Sequence, residues 1–124
     1  MYKVLLVEDD PLMSRMYQRV FVFNEFDIQL AGNGKEGLEK IAAFKPDIVL
    51  IDVMMPIMNG MEMLAKLKAD PATKDLPVLM LTNLADVKTA EEATKAGALN
   101  YFVKSQYDPD QIASSVKEIL DKAA

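Results

Sequence analysis

Five short apolar runs alternate along this chain with longer stretches in which apolar residues recur every three or four positions. The runs cover residues 3–7, 26–31, 47–51, 76–81 and 99–103. Runs this short, bounded by Gly, Pro, Asn and Asp, read as strands. The periodic stretches predict helices over Pro11 to about Asn24, Lys35–Phe44, the segment from Asn59 to about Ala69, about Asp86 to Ala96, and from Pro109 onward. In the first helix the periodic set is Leu12, Met16, Val20 and Phe23; in the last it is Ile112, Val116, Ile119 and Leu120. Phe21, Val22 and Phe23 make the first helix apolar almost all round, which leaves deeper burial and a partner face both open.

Polar punctuation marks the ends of these elements. Asn33 with Glu36, and Asn59 with Glu62, have the spacing of a capping box. Asp10-Pro11 and Asp108-Pro109 each put a cap before a proline in the first turn, so Asp10 reads as a cap and not as a metal ligand. Gly97 stands where a helix C-terminus wants glycine.

Alternating strands and helices of this length imply a parallel sheet covered on both faces. The run at 47–51 is apolar without alternation, as a doubly covered strand should be. Right-handed crossovers leave few topologies. The expected fold is a flavodoxin-like, doubly wound, five-stranded parallel sheet of order 2-1-3-4-5 with five helices. Residues 1–124 would form one domain, with no output domain. In that order the first and third strands are neighbours at the switch point, where ligands bind at the carboxyl ends.

Those ends carry chemistry. The first run leads into Glu8 and Asp9, the third into Asp52, the fourth into Thr82 and the fifth into Lys104. Two like charges about 4 Å apart repel by roughly 4 kcal/mol at an effective dielectric near 20. Three crowded carboxylates therefore need a raised pKa or a cation, and Lys104 can offset only one of them. With no cysteine and no histidine in the chain, only oxygen ligands remain, which favours a hard divalent ion. Magnesium suits one or two carboxylates plus a phosphate. A hydroxyl and an ammonium facing such an ion fit a phosphoryl group. Asp52 is the best nucleophile, because it alone ends a central strand and leads into an open loop; aspartate forms acyl phosphates, and an ionised carboxylate needs no general base.

Composition narrows the partners. A net charge of −5 and a pI near 4.7 argue against nucleic-acid binding. No apolar run approaches the roughly 20 residues of a membrane span, and the chain enters a strand at once, so a cytoplasmic protein without a signal peptide is expected.

Taken together, Val7-Glu8-Asp9-Asp10, Asp52-Val53-Met54-Met55-Pro56 with Gly60, Leu81-Thr82-Asn83 and Tyr101-Phe102-Val103-Lys104 resemble the receiver domain of two-component response regulators, over the whole chain. The resemblance implies Asp52 as phosphoacceptor, Asp9 as a direct Mg2+ ligand, Glu8 acting through water and the Met54 backbone carbonyl completing the ligands. It implies Thr82 as switch hydroxyl, Lys104 as phosphate-binding lysine and Tyr101 as the aromatic that turns inward. The implied partners are a sensor histidine kinase or phosphotransfer protein, and a downstream protein on the face of the fourth helix, fifth strand and fifth helix.

The chain departs from that pattern at Ser105, where proline usually follows the lysine, so a cis bond there is not assured. Asn83 replaces a small residue, and Met54 and Leu84 make the site rim apolar, which predicts slower loss of the phosphate. Two other functions compete. An aspartyl phosphatase would need an acid two residues after the nucleophile, where Met54 stands. A binding module that is not phosphorylated would have no use for the acids, threonine and lysine, and one that holds a flavin would need a phosphate-cradling loop after the first strand, where Glu8, Asp9 and Asp10 stand instead.

Overall fold

The computed structural model describes residues 1–124. Its elements follow the chain as β1 (Lys3–Val7), α1 (Pro11–Phe23), β2 (Asp27–Ala31), α2 (Gly34–Phe44), β3 (Ile48–Asp52), α3 (Gly60–Ala69), β4 (Val78–Thr82), α4 (Val87–Lys95), β5 (Asn100–Val103) and α5 (Pro109–Ala123). The strands pair in the order β2-β1-β3-β4-β5, all parallel. This is the doubly wound order expected from the alternation.

Side-chain alternation along each strand feeds two cores. Val4, Leu6, Leu50 and Leu79 face Tyr17 and Phe21 of α1 and Ile112 and Val116 of α5. Leu5, Val7, Ile51 and Met80 face the other way, onto Ile41, Met63, Leu64 and Ala90 of α2, α3 and α4. Every residue of β3 and β4 is buried. Each such Leu, Ile or Val contributes about 1.5–3 kcal/mol over leaving it exposed.

The caps form largely as their spacing requires. Asp10 accepts from the amides of Leu12 and Met13, with Pro11 behind it. Asn59 and Glu62 close a full capping box, and Asp108 closes one with Gln111. The Asn33 box is only half made. Asn33 accepts from the Glu36 amide, but the Glu36 carboxylate turns instead to the Gly32 amide. That bond, ahead of the nearby Lys40, holds the Glu36 carboxyl below its ordinary range.

Three expectations are corrected. The periodic set of α1 is not its core face: Leu12, Met16 and Phe23 lie outside, and Ser14, Tyr17 and Phe21 are buried. Apolar spacing alone does not choose between two faces that are both apolar; Phe21 wins because Phe26 packs 5.1 Å from its ring. The fourth strand begins at Val78, not Leu76, since Leu76 donates its amide to Thr73 within a turn and Pro77 has none to give. A 3-10 turn, Leu84–Asp86, precedes α4 and shortens it at its start.

The loop from Val53 to Asn59 is tied down at several points. Gly60 donates to the Val53 carbonyl at 3.0 Å and Gly34 to that of Met58 at 3.3 Å. A Cβ at Gly60 would lie 2.5 Å from the Asp52 carbonyl oxygen, so only glycine fits. Met58 donates to the Pro56 carbonyl at 2.7 Å across Ile57, whose φ is 68°. That is a γ-turn of the strained kind, and for a β-branched residue an unusual one.

Candidate functional site at the carboxyl edge of the sheet

Strand register brings the site together. Val7 pairs with Ile51, so Glu8 emerges beside Asp52. Asp52 pairs with Leu81, one residue before Thr82, and Thr82 pairs with Val103, one residue before Lys104. Both Asp52 and Thr82 are themselves strand residues, held in the ladder and not loose beyond it.

Carboxylate oxygens of Glu8, Asp9 and Asp52 all lie within 4.8 Å of one another. Lys104 Nζ donates to Glu8 Oε2 at 2.9 Å and to Asp52 Oδ2 at 3.1 Å. The other Asp52 oxygen, Oδ1, accepts from the Met54 amide at 3.2 Å. Glu8 and Asp52 are buried, whereas Asp9 is exposed at the mouth.

The electrostatics follow from that crowding. Burial, and then the hydrogen bond and charge of Asp52, push the Glu8 carboxyl up from 4.5 to about 8 against the opposing pull of Lys104. Burial lowers the Lys104 ammonium, but Glu8 and Asp52 together outweigh it and its net shift is upward. One ammonium thus serves two carboxylates, and Glu8 takes up a proton where no second cation is at hand. An oxygen-only donor set of this kind suits a hard divalent cation, which would let all three carboxylates ionise.

The remaining expected residues stand slightly apart. Thr82 is fully buried, and its hydroxyl donates to the Asn83 carbonyl at 3.0 Å. Tyr101, opposite Met80 in the ladder, is half-buried against the α4-side core. Met54, Leu84 and Ile57 form an exposed apolar rim. All peptide bonds are trans, Lys104–Ser105 included.

Two neighbours of the site escaped the sequence reading. Ser14 is a buried hydroxyl on α1 that donates to the Glu8 carbonyl at 3.3 Å. Tyr17, buried one turn further on, feels the charges of Lys104, Glu8 and Asp52, but burial first of all raises its hydroxyl to about 12. A serine and a tyrosine on the inward side of an apolar helix were the available signal.

A doubly wound α/β domain with a lysine-bridged acid cluster at its switch point is the architecture of the signalling receivers. Residues 4–117 match the family described as the response regulator receiver domain, and the chain belongs to that family, the receiver domains of two-component systems. It is 33% identical over 118 residues to the regulatory protein AtoC of Escherichia coli, covering 95% of this chain and 25% of that protein. It is 35% identical over 118 residues to the response regulator MprA of Mycobacterium leprae, covering 95% of this chain and 50% of that one. The chain therefore spans between a quarter and half of the length of these curated relatives. Among solved structures, the chemotaxis protein CheY4 of Vibrio cholerae superposes with a TM-score of 0.85 at 27% identity, covering 95% of this chain and 98% of that one.

Proposed function

We propose that this domain is a regulatory phosphoacceptor, in which Asp52 takes a phosphoryl group from the phosphohistidine of a sensor kinase or phosphotransfer protein. The observation that carries the reading is the cluster itself, with three carboxylates within 4.8 Å and one lysine bridging two of them.

Glu8, Asp9, Asp52 and the Met54 carbonyl are the groups that would hold Mg2+, Glu8 through water. When bound, the ion supplies charge neutralisation for the carboxylates and the incoming phosphoryl oxygens. Asp52 attacks phosphorus with a carboxylate oxygen, the P–N bond to the imidazole breaks, and that nitrogen keeps the electron pair and takes a proton from solvent. No general base is required. Lys104 then exchanges Asp52 for a phosphoryl oxygen while keeping Glu8 in reach.

Thr82 would report the event. Its present bond to Asn83 is an ordinary neutral one, worth about 1 kcal/mol net, whereas a phosphoryl oxygen offers a charged acceptor worth about 1.5–3 kcal/mol. The difference biases the hydroxyl toward the phosphate, and Tyr101 turns into the space it leaves. The face of α4, β5 and α5 then changes its partner affinity. The domain acts as a switch in the cytoplasm, and not as a turnover enzyme. No helix is long and apolar enough to cross a membrane.

The test is Mg2+-dependent labelling by acetyl phosphate, read by intact mass, in the native chain and in Asp52→Asn. One added phosphoryl group is expected only in the native chain with Mg2+. Labelling that survives in the variant, or that ignores Mg2+, defeats the assignment.

A further inference from the structure

Asparagine followed by glycine is chemically fragile, because glycine has no side chain to keep the next amide nitrogen away from the asparagine side-chain carbon. Of the five asparagines in this chain, Asn33 and Asn59 precede glycine. Both cap helices, α2 and α3, so the fold holds the same labile dipeptide in two similar local settings. What differs is the guard on each.

At Asn59 the guard is double and rigid. Its side chain accepts from the Glu62 amide at 2.9 Å, and the Glu62 carboxylate accepts in turn from the Asn59 amide at 3.2 Å. The Gly60 amide donates to the Val53 carbonyl at 3.0 Å. A Cβ at Gly60 would meet the Asp52 carbonyl oxygen at 2.5 Å and the Val53 Cα at 2.9 Å, both backbone atoms at the end of β3. At Asn33 the side chain accepts from the Glu36 amide at 2.9 Å, but the Glu36 carboxylate turns to Gly32 and no box closes. The Gly34 amide donates to the Met58 carbonyl at 3.3 Å, and the three atoms nearest a Cβ there all belong to Met58. Met58 follows Ile57, the strained left-handed residue. One loop residue therefore guards Asn33, and strain works to lift it.

We propose that Asn33-Gly34 is a modification site, where the chain deamidates spontaneously to isoaspartate when the Met58 segment lifts, while Asn59-Gly60 stays protected. The Gly34 nitrogen attacks the Asn33 side-chain carbon, and the new carbon–nitrogen bond closes a five-membered imide. The side-chain amide leaves as ammonia, carrying the proton that the Gly34 nitrogen gives up. Water then opens the imide at either carbonyl, giving isoaspartate or aspartate. Isoaspartate puts one extra backbone carbon ahead of α2 and takes the acceptor away from the Glu36 amide. Its free α-carboxylate is the group that an isoaspartyl carboxyl methyltransferase methylates from S-adenosylmethionine. Lifting one loop segment is a local opening and leaves the sheet folded. Neither Asp52 nor a cation takes part, so the reaction is independent of the phosphoacceptor reading.

The test holds the full chain in mildly alkaline buffer and follows it by peptide mass mapping and by methyl transfer with such a methyltransferase. Isoaspartate should accumulate at Asn33 about ten-fold faster than at Asn59, or more. In urea, where both guards are gone, the two sites should react alike. The aged native chain should melt about 4 °C lower, the effect of a lost cap. Asn33→Ser keeps a capping oxygen, and should start from the native melting midpoint and hold it with age. Ile57→Gly relieves the turn and should slow the reaction at Asn33 about five-fold in the folded chain, with no change in urea. Equal rates in the folded chain, faster reaction at Asn59, or a preference for Asn33 that persists in urea overturns the proposal. So does an Ile57→Gly chain that reacts no more slowly than the native one.

Discussion

Replacing Glu8 by Gln keeps its size and most of its hydrogen bonding while removing the ionisable group. Burial first, and Asp52 second, raise the Glu8 carboxyl from 4.5 to about 8. At 1.36 kcal/mol per pH unit, the folded chain holds that proton about 5 kcal/mol more tightly than the unfolded chain does. The sign is set by which state lets go first. Below 4.5 both states carry the proton and the full contribution to stability is present. Between 4.5 and about 8 the unfolded chain has released it and the folded chain has not, so stability falls as pH rises; beyond that the contribution is gone. In metal-free buffer the native chain should lose on the order of 5 kcal/mol from this group across the window. Glu8→Gln should lose none of it and be the more stable protein at the alkaline end. Mg2+ competes with the same proton, so adding it should restore the native chain most at high pH and the variant little. Urea midpoints with EDTA and with MgCl2, taken across the window, measure all of this. Parallel pH curves for the two proteins, or a variant less stable than the native chain at the alkaline end, would refute the reasoning.

Asp10→Ala should cost about 1 kcal/mol, the usual loss for a helix cap, without changing Mg2+ affinity by calorimetry; a large fall in affinity would make Asp10 a ligand. Gly60→Ala should cost about 3 kcal/mol, since the added methyl meets the Asp52 carbonyl and the Val53 Cα, neither of which can yield easily; an unchanged thermal midpoint would count against the close approach. Ile57→Gly should gain about 1 kcal/mol in denaturant unfolding by relieving a left-handed β-branched residue, and a loss would mean that the γ-turn is not strained.

Asp52, Lys104 and the strand order could be read ahead of any coordinates because each depends on local pattern. Short apolar runs ending in acid or lysine need only the right-handed crossover rule to bring their ends together. Caps at Asp10, Asn59 and Asp108 were equally legible, being contacts within four residues. Harder to read was anything set by competition between distant groups. Leu12, Met16 and Phe23 have good helical spacing, yet Tyr17 and Phe21 took the inside because Phe26 and α5 pack there. Glu36 had two amides in reach and chose Gly32 over Asn33.

The order of residues thus determined the layer architecture, the topology and which side chains reach one edge, since those follow from periodicity and chain connectivity. Only the folded structure decided that Glu8, not Asp9, is the buried carboxylate, that Lys104 spans two acids, and that Thr82 rests on Asn83. Burial and through-space charge depend on what every other element leaves uncovered, and no short stretch of sequence carries that information.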